Sequence, residues 1–230
     1  MLDRAPIGYG RADQGSVFAI LLLAVVLFAA LIFVISRGMD TGTSRLTTAQ
    51  ARNMAADVIA YAQMVDRSVV HLLQNGVSEG DISFENSLVT GYAHTPAVTD
   101  SARVFGSSTG GTATWKIPLR GQTASGNKWL FTGGVVVTGQ ESNALSDLMM
   151  TLPIVTTDLC SEINHQLGVS IDLTSDQGTV TGTKFVGTYA DNAAVAVSPG
   201  TGITAGCFKG LITDGAQSGE YTFFKVLIAR

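Results

Sequence analysis

The chain has 230 residues, with 14 Lys and Arg against 18 Asp and Glu, a formal net charge of -4 and a sequence pI near 5.2. Only 14% of the residues are charged, which leaves no basic field to gather phosphates and excludes nucleic acid as an expected partner. The length suits one ordinary domain beyond a single apolar stretch, and that stretch alone raises the mean hydropathy to +0.30.

The first residues, MLDRAPIGYGRADQG, are polar and end at Gly15; Ser16 follows, and then Val17 to Ile35, VFAILLLAVVLFAALIFVI, without a charged or polar side chain. As a helix rising about 1.5 Å per residue, such a run matches a hydrocarbon core about 30 Å thick. It predicts a membrane anchor. Counted by Lys and Arg alone, Arg4 and Arg11 precede the run while Arg37, Arg45 and Arg52 follow it, a slight lean toward a cytoplasmic head. The paired cysteines and the Gly, Ser and Thr-rich composition further along argue the other way, and the expectation is a head outside the cytoplasm.

Gly38 and Gly42 interrupt or bend the helix, and Thr47 with Gln50 fits a capping box for a second one. Met54, Val58, Tyr61, Ala62, Val65, Val69 and Leu72 fall three and four apart on one face, and Asn75-Gly76 supplies a stop. The pattern predicts an amphipathic stem of about 30 residues; a two-helix hairpin is the alternative, disfavoured because no matching helix follows.

From Gly76 the period changes. Strands are expected at Arg103 to Phe105, Ala113 to Ile117, Lys128 to Thr138 with a turn or bulge at Gly133-Gly134, Val169 to Leu173, Thr179 to Tyr189, Phe208 to Ile212 and Tyr221 to Ala229. Two short helices are expected between them, one from a cap at Ser142 to Pro153 and one from Thr157 to a C-cap at Gly168. Cys160 and Cys207, 47 residues apart, suit one disulfide contributing about 3 to 4 kcal/mol; two unrelated buried thiols are the alternative.

Chemistry-bearing patterns are few. His71 lies on the stem helix, His94 in a loop before Pro96 and His165 near a helix end, three contexts that suit polar surface or helix-end roles better than catalysis. Gly121 to Lys128 resembles a phosphate loop but inserts Asn127 before the lysine and places Trp129 where Ser or Thr should bind magnesium, so it reads as a hairpin turn. PGTGITAG at 199 to 206 lacks the strand-then-helix setting of a dinucleotide site. Asp214 and Glu220 flank a glycine loop that a calcium ion could use, although the spacing is not that of an EF-hand and ordinary turn chemistry explains Asp214-Gly215 as well.

A polar leader ending in Gly15, then Ser16 and an apolar helix, an amphipathic continuation and a Gly-rich head with a late cysteine pair together resemble a type IV pilin or pseudopilin. The stretches QGSVFAILLLAVVLFAALIFVISR, WLFTGG, LPIVTTDLCSEINHQLGV and YTFFKVLIAR are similar to a group of uncharacterised bacterial pilin-like proteins. The resemblance implies cleavage by prepilin peptidase between Gly15 and Ser16, residence in the inner-membrane lipid with the head in the periplasm, and later packing beside identical or related subunits in a filament. It divides the chain into a leader (1–15), an anchor and helical stem (16–75) and an extracytoplasmic head (76–230). Two departures stand out. Ser16 replaces the usual first Phe or Met, and Ile20 occupies the fifth mature position, where the family usually carries glutamate; the missing glutamate favours a minor or tip-located subunit over a major shaft subunit, and equally a protein that shares only the topology. A cleaved secretory signal fits less well, since the apolar run exceeds the usual 7 to 15 residues or so and no small-residue site follows.

The expected fold is therefore α+β, a long N-terminal hydrophobic and amphipathic helix carrying an antiparallel β-sheet head. The expected function is that of a pilin-like structural subunit of a type IV pilus or type II secretion-type filament, without catalysis or cofactor. The alternative is a single-pass membrane-anchored binding or adhesin protein that does not polymerise.

Overall fold

A computed structural model describes residues 20–28, 48–106, 109–124, 128–140, 145–191, 196–212 and 220–230. The chain divides into two units, Met1–Arg45 and Leu46–Arg230. In the first, residues 20–28 form helix α1. Here the expected fold is corrected. Among the described residues no helix is long and apolar enough to cross a membrane, and α1 at about 1.5 Å per residue covers less than half of a hydrocarbon core. The rest of Val17 to Ile35, Gly38, Gly42 and the Thr47 cap lie outside the described residues.

In the second unit, α2 (Thr48–Gln74) buries Ala51, Ala55, Val58, Tyr61, Ala62, Val65, Ser68, Val69 and Leu72, the face that the three-and-four spacing predicts. Its end is a Schellman motif. The Val77 N–H donates to Leu72 O at 3.1 Å and the Gly76 N–H to Leu73 O at 3.0 Å, with Gly76 at φ +84°, a left-handed conformation that glycine adopts without a Cβ penalty.

The strands are β1 (Leu130–Val137), β2 (Asp147–Val155), β3 (Thr179–Val180), β4 (Ala196–Val197), β5 (Ala205–Lys209), β6 (Leu211–Ile212) and β7 (Tyr221–Ile228). Five of them form one sheet in the order β4-β1-β2-β7-β5, and β3 pairs with β6 apart from it. The neighbours β1/β2, β2/β7 and β7/β5 are antiparallel, but β4 runs parallel to β1. The sheet is mixed, not the antiparallel sheet expected. A parallel neighbour needs a long crossover, and the passage from β1 through β2 and the helix α3 (Thr157–Leu167) to β4 supplies it.

The sheet is buried on both faces. On one side Phe131, Leu148, Met150, Leu152 and Phe223 join the apolar faces of α2 and α3. On the other, Val135, Val137, Met149, Phe224 and Val226 pack with Ile171, Val180, Val197 and Phe208. This explains a second correction: of the helix expected from Ser142 to Pro153, Asp147 to Pro153 belong instead to strand β2, and residues 142–144 lie outside the described residues. With neighbouring residues entering different cores, the strand shows no polar alternation, and its apolar run lacks the period-two signal.

The helix expected at Thr157 is present. Thr156 caps it, its hydroxyl accepting from the Leu159 N–H at 3.4 Å, and Gly168 closes it at φ 67°. β1 matches the expected strand, with a register shift between Thr132 and Val135 at the two glycines. A Cβ on Gly133 would lie 2.7 Å from the Phe185 ring, so side-chain volume is excluded there. Other expected strands shrink. Residues 103–105 and 113–117 contribute only isolated bridges, Ser83 with Arg103 and Phe105 with Ala113; 169–173 is not a strand, and of 179–189 only Thr179–Val180 remains. These segments attach by scattered backbone bonds, such as the Val104 N–H to Ser83 O at 2.9 Å, and by side chains, as when Ser68 Oγ donates to Val104 O at 3.0 Å and accepts from the Thr112 N–H at 3.0 Å.

Candidate functional site

Gly15 and Ser16 lie outside the described residues. The helix that follows them at a short distance in sequence is exposed nearly all round: Ile20 is 65% exposed, Leu23 65% and Phe28 69%, with Leu21, Leu22, Val25, Val26 and Leu27 comparable. Apolar side chains on every side of a helix have no favourable place in water and call for lipid or other apolar helices around them.

Cys160 on α3 and Cys207 on β5 are fully buried, with Cα atoms 5.2 Å apart and sulfurs bonded to each other. Beside them Asn164 donates from Nδ2 to Cys207 O at 2.8 Å and accepts at Oδ1 from the Cys207 N–H at 2.7 Å. A side-chain amide thus satisfies Cys207 on the outer edge of β5 as a neighbouring strand would, which blocks edge pairing at that residue.

The three histidines fall in separate places. His71 is on the exposed side of α2, within 3.1 Å of Asn75 Nδ2, and His165 is exposed near the end of α3, 4.0 Å from Glu162. His94 differs, being only 8% exposed and edge-on to Phe185 at 6.2 Å between ring centroids. Burial lowers its pKa, while the nearby Asp81 and Glu85 carboxylates and a backbone hydrogen bond at Ile82 oppose the shift. Its Nε2 is buried with no hydrogen-bond partner. Asp214 lies outside the described residues, so the calcium loop is described only at Glu220. Among the described residues no group of three or more His, Cys, Asp or Glu is placed to hold a metal ion.

His94 lines a cleft of about 490 Å³ between the loops around residues 77–81, 94–102 and 186–188. The loops meet at two glycines. A Cβ on Gly187, which sits at φ +90°, would come within 2.4 Å of Gly80 O and 3.0 Å of His94 Nδ1, so Gly187 admits no side chain without moving the backbone. Asp81, Thr95, Thr99, Ser101 and Thr188 supply the polar lining. Sequence reading isolates His94 but not these partners, because they come from loops far apart in the chain and no spacing links them. A second cleft, about 530 Å³, is lined by Leu88, Phe105 and Trp115 around Arg103, whose guanidinium is held by Glu85 at 3.0 Å and Asp100 at 3.2 Å.

The turn at Gly121 to Ala124 is structural: buried Gln122 donates from Nε2 to Asp57 Oδ2 at 2.8 Å and accepts at Oε1 from the Leu119 N–H at 2.7 Å, tying it to α2. Residues 199–206 lead into β5 and open no helix.

Set against family models, curated proteins and solved structures, the chain matches none of them.

Proposed function

We propose that the chain is a pilin-like structural subunit of a type IV pilus or type II secretion-type filament, in a minor or tip-located position, working by assembly and not by catalysis. The observation that carries this reading is the exposed apolar surface of residues 20–28, within an apolar run that begins directly after Gly15 and Ser16. Lipid before assembly and neighbouring subunits after it are the two environments that would cover such a surface. Ile20 faces that environment without a charge, which suits a position where no partner offers one, since an unpaired carboxylate in lipid is costly.

The test is expression of the full chain in bacteria with and without a prepilin peptidase, followed by mass spectrometry of the N-terminus and electron microscopy of sheared surface material labelled for the head. A terminus at Ser16 that depends on the peptidase, together with label on filaments, supports the reading. An intact Met1 with the peptidase present and no label on filaments rejects it in favour of a non-polymerising, membrane-anchored binding protein.

A further inference from the structure

The cleft beside His94 has the composition of a binding site for which the filament reading gives no use. Among the described residues that line it, one carries a formal charge, Asp81, and none is lysine or arginine. Asp81 is exposed at the edge of the cleft, oriented by the Ser78 hydroxyl at 2.6 Å. The hydroxyls of Thr99 and Ser101 lie 2.8 Å apart. Val77, Pro96, Val98 and Val186 make up much of the remaining wall.

This lining sorts ligand classes. An anion would meet a carboxylate and no cation. A metal ion would find too few ligands of the right type. A sugar would lack the broad aromatic face on which its ring stacks. A protonated amine on an aliphatic body fits each part, with a carboxylate and hydroxyl oxygens for the nitrogen and valines for the chain. His94 Nε2 is buried beside the cleft without a partner, a costly state that a small loop adjustment around an incoming donor would relieve.

We propose that the cleft between residues 77–81, 94–102 and 186–188 binds a primary alkylammonium group, with its nitrogen at Asp81 and the neighbouring hydroxyls beside His94 and its chain against Val98 and Val186. The site does not depend on whether the chain polymerises. The ammonium could belong to a free amine or to a lysine side chain.

The experiment uses the full chain in detergent micelles with ¹³C-labelled histidine. The His94 Cε1–H resonance is assigned by its loss in His94→Gln and followed while n-butylammonium or Nα-acetyl-lysine methylamide is added, with n-butanol and butyrate as controls. The expected result is a saturable shift with one or both ammonium compounds, the tighter one identifying the source, weakened about tenfold in Asp81→Asn and abolished in Val186→Trp. If Asp81→Asn disturbs the other resonances, Val186→Trp decides. Absence of a saturable shift into tens of millimolar, equal binding of butanol or butyrate, or unchanged binding in Val186→Trp overturns the proposal.

Discussion

Asn164 and Cys207 exchange two hydrogen bonds, at 2.8 Å and 2.7 Å, between a helix side chain and a strand backbone. Both residues are buried, so removing the amide leaves an N–H and a C=O of β5 unmet. Asn164→Ala is expected to lower stability by about 2 to 4 kcal/mol. Asn164→Asp is expected to cost at least as much, since a second acceptor then faces Cys207 O. Urea unfolding of the oxidised full chain in micelles measures both, and a loss below about 0.5 kcal/mol for either would contradict the pairing.

The neighbouring cysteine pair makes a separate prediction. Under denaturing, non-reducing conditions the chain is expected to show no free thiol, and Cys160→Ala with Cys207→Ala is expected to lower stability by about 2 to 4 kcal/mol, the range for a loop of this size. Thiol titration and the same urea series report the two results.

Acid should weaken the second unit through His94. Burial holds its pKa below the ordinary 6.5, so the unfolded chain binds the proton more readily than the folded one. The stabilisation is complete above pH 6.5 and is lost as pH falls through the folded-state value. His94→Gln is expected to flatten the stability profile below pH 6.5, as read by thermal unfolding across a pH series.

Alkali acts through tyrosine. Burial pushes the Tyr61 phenol up to about 12, opposed by a backbone hydrogen bond at Lys116, and burial raises Tyr92 and Tyr189 as well. A folded pKa above the unfolded value of 10.0 leaves stability unchanged below pH 10 and erodes it as pH rises toward 12. Tyrosinate absorbance should therefore rise late, together with loss of fold, and Tyr61→Phe should reduce the steepness of the alkaline transition.

What was legible in the sequence follows from how each segment is buried. α2 has one buried face, so its apolar positions carry the helical period. α3 carries its own punctuation, Thr156 before it and Gly168 after it. β2 has two buried faces, and LMMTL therefore lacks the alternation that would mark a strand. The parallel pairing of β4 with β1 depends on a crossover across the sheet, and a two-residue strand has too little pattern to announce it. The apolar run after Ser16 gives hydrophobicity without length, and among the described residues it accounts only for α1, too short to cross a membrane. The His94 cleft was legible only as a loop histidine before Pro96, because Asp81, Ser101 and Gly187 reach it from loops that no local motif connects.

β7 follows β5 in the chain yet lies between β2 and β5 in the sheet. Until Tyr221–Ile228 arrives, β2 lacks its second neighbour and β5 lacks its partner, so both would present open pairing edges and the methionines of β2 would be without their cover from Phe223 and Phe224. A chain being made, or threaded across a membrane from its N-terminus, holds the sheet unfinished throughout that interval. The strand that completes the centre of the sheet emerges after every other described strand, and protection of the growing chain against edge pairing must come from something other than its own fold until it does.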